Sequence, residues 1–267
     1  MISGMRVPAK SRREEGEKPF WISFADLMTA LMVLFLISMA AALVIITKGP
    51  SDDQRLLAER AGAMQEVTNA LRELIQKDKR EEYDGIRIDG VTVDFGTRGR
   101  FEKEGQNTLS PRQRDMVVNF TKDLLVVLRK PKVKEWFKRT IVEGYASQTG
   151  TYLFNLNLSL ERSERVICEL LRDPGDGINL EAADRVVVAQ SFLVGGASFN
   201  KLQGNLGNAK ESAEASRRIE YRLEFKTLDE YKADELNRSK VAATNETVKT
   251  ALVKALDPKE QCPITSR

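Results

Sequence analysis

A single apolar stretch near the start of the chain limits what this sequence can fold into. Residues 19–47 read PFWISFADLMTALMVLFLISMAAALVIIT and contain one charged residue, Asp26. A bilayer core needs about 20 apolar residues in a helix, because each residue adds about 1.5 Å. The stretch is therefore predicted to be one transmembrane helix.

Basic residues precede the apolar stretch, at Arg6, Lys10, Arg12, Arg13 and Lys18. By the positive-inside rule, residues 1–18 are expected to be a cytoplasmic tail, and everything after Lys48 is expected to lie outside the cytoplasm. A cleaved signal peptide with its cleavage site at Ala40–Ala42 is the alternative. It is disfavoured because the apolar stretch continues past Ala42 and is longer than the 7–15 residues typical of such peptides.

Composition excludes several classes of function. The chain has 267 residues, of which 42% are apolar and 30% charged, and its net charge of +3 does not require a nucleic-acid partner. Because there is no histidine, a histidine base, a serine–histidine triad and a histidine metal ligand are all excluded. We therefore expect no enzyme, no cofactor, no metal site and no direct contact with nucleic acid.

Asp26 is the least expected residue of the apolar stretch. An ionised carboxylate inside a bilayer costs roughly 2.5–3.5 kcal/mol, so such residues usually face protein or a water-filled path. One hypothesis is that Asp26 binds and releases H⁺ or Na⁺, with Ser23, Thr29 and Ala30 supporting the ion path. A plainer alternative is an aspartate that reaches the headgroups. Since one helix cannot form an ion path, the first hypothesis requires a partner with more transmembrane helices, and self-association.

Residues 48–84 are predicted to be a linker that contains an amphipathic helix over 51–79. Apolar residues recur there at three- and four-residue spacing, and the opening SDDQ supplies a serine cap and acids in the first turn. This helix could pack on the following domain, pair with a second copy or lie on the membrane as a plug.

Residues 85–226 alternate strand and helix patterns. Strands are predicted over 86–95, 139–145, 186–194 and 219–225, with helices from Ser110 to about Arg129 and from about Ser159 to Leu171. Such βαβ runs with a final antiparallel pair predict an α+β fold with helices over one face of a sheet. Residues 227–267 are predicted to be a partly helical tail.

The membrane motif resembles a known family. Residues 20–32, FWISFADLMTALM, are similar to the signature of B subunits in flagellar-stator-type rotary motors. The resemblance implies that two B chains stand inside a ring of five polytopic A chains, and that Asp26 carries the driving ion.

A second resemblance covers roughly Gly85 to Phe225. The segment GYASQTG at 144–150, followed by Phe154, Asn155, Leu158 and Arg162, and then SRRIE at 216–220, is similar to the peptidoglycan-binding signature of OmpA-like domains. It implies a βαβαββ-type domain in which Asn155 and Arg162 hold stem-peptide carboxylates, while Phe154 and Leu158 shape the pocket. A guanidinium suits this role because its planar fork can hold a carboxylate bidentately.

The sequence departs from that signature at Ser147, where the family usually has an aspartate. Glu143 or Glu161 could supply the missing negative charge. In the structural alternative, Asn155 and Arg162 only cap and solvate the start of a helix.

The combination of motifs resembles most the B subunits of Zorya anti-phage defence systems. It implies a single-pass protein of the bacterial inner membrane whose periplasmic domain binds peptidoglycan and which reaches cytoplasmic effectors only indirectly. A motility stator and a passive tether between membrane and wall are the alternatives. Because the periplasm is oxidising, Cys168 and Cys262 are predicted to form a disulfide.

Overall fold

The computed structural model describes residues 18–47, 52–77, 81–173, 175, 177–204, 207–257, 259 and 261–267. The predicted cytoplasmic tail therefore lies outside the described residues, apart from Lys18. The chain divides into two compact units, 1–52 and 53–267.

The first unit contains one helix, α1, from Lys18 to Thr47. Its residues 21–46 are exposed, although almost all of them are apolar. The segment from Trp21 to Ile46 has the length and composition needed to cross a membrane. The apolar surface of α1 thus matches the predicted transmembrane helix.

Helix α2 runs from Asp52 to Lys77, and all of it after Asp52 belongs to the second unit. Ala63, Val67 and Leu71 lie on one face of this helix, and each is at most 1% exposed within the core of the unit. Thr68 also donates a hydrogen bond from Oγ1 to the carbonyl oxygen of Gly90, at 2.9 Å. Three roles were open for this helix: packing on the following domain, pairing with a second copy, or lying on the membrane as a plug. The structure shows the first of them.

A sheet of five strands forms the centre of the second unit. The strands are β1 (Arg87–Asp89), β2 (Thr92–Asp94), β3 (Phe137–Gly144), β4 (Phe192–Gly196) and β5 (Ile219–Phe225), in the order β1-β2-β5-β3-β4. β3 and β4 are parallel, whereas the other neighbours are antiparallel. The α+β class predicted from the sequence is confirmed.

The remaining helices of the unit are α3 (Pro111–Leu128), α4 (Pro131–Trp136), α5 (Tyr152–Leu171), α6 (Ala182–Ser191), α7 (Ala209–Ser216), α8 (Leu228–Leu236) and α9 (Arg238–Ala255). α3 begins with a capping box, in which the side chains of Ser110 and Gln113 each accept a hydrogen bond from the other's backbone N–H. Between helices and sheet, Phe95, Phe120 and Tyr221 pack edge to face, with ring centroids 4.8–6.4 Å apart. These rings lie at the centre of the core.

β5 explains why one face of the sheet is apolar. Tyr221, Leu223 and Phe225 are buried in the core, whereas the alternating Arg222 and Glu224 are only half-buried and pair with each other. This alternation is the expected pattern for a sheet with one core face and one polar face.

Two details of the predicted strands are wrong. Residues 86–95 form the hairpin of β1 and β2 rather than one strand, because the chain turns at Gly90, which has φ of +55°. Residues 186–191 belong to α6, and β4 begins only at Phe192; a short apolar run such as VVVAQSFLV does not distinguish helix from strand. The last strand, β5, lies between β2 and β3 and is antiparallel to both.

Candidate functional site

The predicted binding residues lie where β3 ends and α5 begins. A loop over 145–151 joins the two elements, and Thr151 caps α5 by accepting a hydrogen bond at Oγ1 from the backbone N–H of Phe154. Gly144 lets α5 pack directly on the strand, because a Cβ atom at this position would lie 1.9 Å from the carbonyl oxygen of Ser159. The first turns of α5 are therefore held firmly against the end of the sheet.

Arg162 is fully buried at the centre of this region. Its Nη1 donates to the carbonyl oxygen of Tyr145 at 2.6 Å and its Nε to that of Gln106 at 2.8 Å, while the guanidinium lies 4.4 Å from the ring centroid of Phe101. Its Nη2 has no hydrogen-bond partner among the described residues. One nitrogen of a buried guanidinium is therefore left without a partner.

A second buried guanidinium, Arg217, lies nearby and also donates to carbonyl oxygens. Its Nε bonds Phe101 at 2.9 Å and its Nη2 bonds Glu102 at 3.0 Å. Burial, and then the charge of Arg217, lower the pKa of Arg162 to about 9, so that Arg162 stays protonated at neutral pH. Within the part of the chain that the structure describes, no carboxylate pairs with Arg162, so the site is positively charged and suits an anion.

The other predicted residues share the same face of α5. Asn155 is 1% exposed and donates from Nδ2 to the carbonyl oxygen of Thr149 at 2.9 Å, which ties the loop to the helix. Leu158 is buried, whereas Phe154 is 45% exposed. Asn155 and Arg162 thus make structural contacts, as expected if their role is only to support the start of α5. Arg162 in addition keeps Nη2 without a partner.

Neither acid considered as a replacement for the missing aspartate is unpaired. Glu143 accepts hydrogen bonds from the Tyr145 hydroxyl at 2.8 Å and from Arg222 at 2.6 Å. Glu161 forms an ion pair with Arg267 at 3.0 Å and accepts a hydrogen bond from Nδ2 of Asn107 at 2.9 Å. Burial, and then the bond to Glu143, raise the pKa of Tyr145, so its hydroxyl stays protonated. Ser147 is 4% exposed and supplies no charge.

Sequence reasoning missed several residues around Arg162: Phe101 and Gln106, which contact its guanidinium, Asn107, which follows Gln106, and Arg217, whose charge lowers its pKa. Only Arg217 had a signal, because it lies within the SRRIE segment that resembles the closing strand of OmpA-like domains. Phe101 and Gln106 precede Arg162 by more than fifty residues and belong to no recognisable motif.

The predicted disulfide is present, between Cys168 on α5 and Cys262 in the tail, with the two Cα atoms 5.7 Å apart. It fastens the last described residues of the chain to the same helix that carries Arg162.

In the first unit, Asp26 is exposed on the surface of α1, as are Ser23, Thr29 and Ala30. The hydroxyl of Thr29 donates to the carbonyl oxygens of Asp26, at 2.9 Å, and of Ala25, at 3.0 Å. These bonds keep the threonine side chain against the helix backbone directly after Asp26. At helical spacing, Ser23, Thr29 and Ala30 lie on the same face of the helix as Asp26.

Solved structures with a similar domain come from several bacterial envelope proteins. They include the OmpA-like domain of FopA1 from Francisella tularensis (18% identity, 53% of this chain and 82% of that chain, TM-score 0.34) and the cell wall anchor of the T6SS from Pseudomonas aeruginosa (15%, 58% and 96%, TM-score 0.39). A third is the periplasmic domain of Helicobacter pylori MotB (14%, 62% and 92%, TM-score 0.40).

The sequence comparisons are more specific. No family model matches the chain. The Zorya protein ZorB of Escherichia coli O139:H28 is 39% identical over 237 residues, which cover 85% of this chain and 90% of that protein. The alignment spans most of both chains, and the resemblance to Zorya B subunits predicted from the motifs is confirmed. The chain belongs to the ZorB family.

Proposed function

We propose that this chain is a membrane-anchored, peptidoglycan-binding subunit of an ion-driven rotary motor in Zorya anti-phage defence. In this proposal α1 crosses the bacterial inner membrane once, with the N-terminus in the cytoplasm and the second unit in the periplasm. The chain acts as a dimer within a ring of five polytopic A subunits and reaches cytoplasmic effectors only through them. The role is mechanical and not enzymatic, and the only small ligand is the translocated H⁺ or Na⁺.

The unpaired Nη2 of Arg162 is the observation that supports peptidoglycan binding most directly. A buried cation without a counter-ion is costly, and a ligand carboxylate would relieve that cost through a charge-assisted hydrogen bond. Peptidoglycan stem peptides supply such carboxylates. Phe154, which is exposed beside the loop at Gly150, provides an apolar contact at the mouth of the site.

Replacing Arg162 with lysine tests this assignment. Arg162→Lys keeps the positive charge but removes the planar fork, so we expect binding of the full-length protein in detergent to purified sacculi to fall at least about tenfold. Co-sedimentation at constant ionic strength measures it.

Arg114→Lys is the matched control, because Arg114 is also buried but pairs with Glu169 at 3.3 Å, away from the α5 start. Equal losses in the two variants would mean that Arg162 only stabilises the fold.

The motor proposal rests on Asp26 and on membership of the ZorB family. A carboxylate on an otherwise apolar spanning helix is costly unless it faces protein or water, and one that exchanges a proton has a reason to be there. A proton that crosses a potential of 100 mV releases about 2.3 kcal/mol, which is a sufficient source of work. Because α1 is a single helix, the rest of the ion path has to come from the A subunit.

The variant Asp26→Asn tests whether the carboxylate titrates. Asparagine keeps the size and hydrogen bonding of the side chain but cannot exchange a proton, so we expect loss of phage protection in cells that carry the neighbouring genes. Membrane insertion and complex assembly should be unchanged.

Ser38→Ala is the control for Asp26→Asn, since Ser38 lies on the same helix and its hydroxyl donates to the carbonyl oxygen of Phe35 within that helix, at 2.8 Å. Full protection by Asp26→Asn would leave a passive tether as the explanation. No protection by the unmodified protein, with motility restored instead, would indicate a motility stator.

A further inference from the structure

The last residues of the chain form a strap across α5. This strap, residues 261–267, follows α9 and returns to the helix that carries Arg162. It is fastened covalently by Cys262 to Cys168, and by a hydrogen bond from Nη2 of Arg165 to the carbonyl oxygen of Ile264 at 2.9 Å. Both fastening points lie on the stretch of α5 that follows Arg162.

The strap clamps one buried side chain, Asn107. Its Nδ2 donates to the carbonyl oxygen of Thr265 at 2.9 Å and to Oε2 of Glu161 at 2.9 Å, while its Oδ1 accepts from the backbone N–H of Arg267 at 2.9 Å. Asn107 is 0% exposed, so these bonds have no water to replace them. The strap therefore fixes the position of the loop at Asn107.

The residue before Asn107 fixes the guanidinium. The carbonyl oxygen of Gln106 accepts the hydrogen bond from Nε of Arg162, and the carbonyl oxygen of Tyr145 accepts from Nη1. Because a guanidinium is planar and rigid, holding two of its nitrogens determines where the third one points. The direction of the free Nη2 thus depends on a loop that the strap holds from its other side.

We propose that Asn107 is a positioning residue of the ligand site, and that the strap acts through Asn107 and Gln106 to aim Nη2 of Arg162 at the ligand carboxylate. The proposal rests on the peptidoglycan-binding function proposed above. It assigns a role to the tail and to the disulfide beyond stability. It also gives a reason for the pairing of the Glu161 carboxylate with Asn107 and Arg267, because these contacts hold the acid away from the anion site.

The decisive measurement is the preference for a free carboxylate. The probes are two synthetic stem tripeptides that end in diaminopimelate, one with a free side-chain carboxyl group and one with this group amidated. Binding to the full-length protein in detergent is measured by calorimetry. The unmodified protein should prefer the free acid. Asn107→Ala should bind the free acid at least about tenfold more weakly, since a buried partner is lost, while its affinity for the amide changes little.

Asn179→Ala is the matched control, because Asn179 makes comparable bonds, to Arg114 at 2.6 Å and to Asp173 at 2.8 Å, away from Arg162. A general loss of stability would weaken both peptides equally and in both variants, whereas a positioning role changes the ratio of affinities in Asn107→Ala alone. An unchanged ratio in a folded Asn107→Ala protein would overturn the proposal.

A second variant keeps the proposal testable if Asn107→Ala does not fold. Cys262→Ser releases the strap without touching the loop, and it should lower the free-acid preference in the same direction, as should reduction of the unmodified protein. If Cys262→Ser keeps the full preference, the strap has no part in aiming Arg162. If the unmodified protein binds neither peptide, the site assignment itself is wrong, and this inference with it.

Discussion

Gly144 is the residue on which the geometry of the candidate site depends most closely. It lies at the end of β3, and a side chain there would meet the carbonyl oxygen of Ser159 and lie 3.2 Å from Cβ of Arg162. Gly196, at the end of the neighbouring β4, is similarly close to α5, because a Cβ atom on it would lie 2.8 Å from the backbone nitrogen of Leu160. Two glycines on parallel strands thus allow the start of α5 to touch the sheet.

Gly144→Ala should destabilise the second unit by about 1–3 kcal/mol, because α5 has to move away from β3 to admit a methyl group. The free energy of unfolding, from denaturant titration followed by circular dichroism, measures this effect. Gly62→Ala is the control: Gly62 lies on α2 with no atom within 4 Å of the added methyl group, so this variant should gain roughly 0.5–1 kcal/mol. Similar changes of the same sign in both variants would contradict the close-packing argument.

At this scale the sequence predicts which residues come together better than it predicts their contacts. The signature spans the end of β3 and the first turns of α5, since the motif is local, and the structure brings Gly144, Asn155 and Arg162 together there. One partner of Arg162, the carbonyl oxygen of Tyr145, lies within the motif, whereas Phe101 and Gln106 come from a distant loop that no local pattern links to α5. The loss of the family aspartate at Ser147 is visible in the sequence, but the pairing of Glu143 and Glu161 is not.

Among the elements, α2 shows what the spacing of apolar residues can and cannot predict. Its apolar spacing predicts an amphipathic helix over 51–79, and the structure describes it from Asp52 to Lys77. Periodicity does not identify the surface that covers the apolar face, because a domain, a second copy and a membrane all offer apolar partners. The same lack of context explains why the apolar run at 186–194 favours a strand in the sequence, although α6 occupies most of it.

The docking of α2 predicts different effects for two of its leucines. Leu71 is 1% exposed within the core, so Leu71→Ala should cost about 2–5 kcal/mol in the free energy of unfolding. Leu57 is 49% exposed, and Leu57→Ala should change the stability by no more than about 0.5 kcal/mol. Thermal unfolding of both proteins provides the comparison. Equal small losses would show that the helix leaves the domain in solution.

For the whole molecule, the alternation of strands and helices predicts the α+β class, but not the order of the strands. Strand order depends on pairings between distant segments, and β5 pairs with β2 through Thr92 and Arg222. The disulfide links positions 94 residues apart and encloses α6 to α9 with β4 and β5. On the chain-entropy view such a loop contributes roughly 4–5 kcal/mol, mostly by restricting the unfolded chain.

The central position of β5 has a consequence for biogenesis. β2 and β3 become neighbours only through β5, so the sheet cannot close until the ribosome has made residue 225 and that residue has reached the compartment where the unit folds. Non-local pairing of this kind slows folding, because the entropy of closing a long loop is lost before the contacts form. Until then β1 and β2 remain a hairpin with an open edge, and incompletely synthesised chains are the form most exposed to proteases and aggregation.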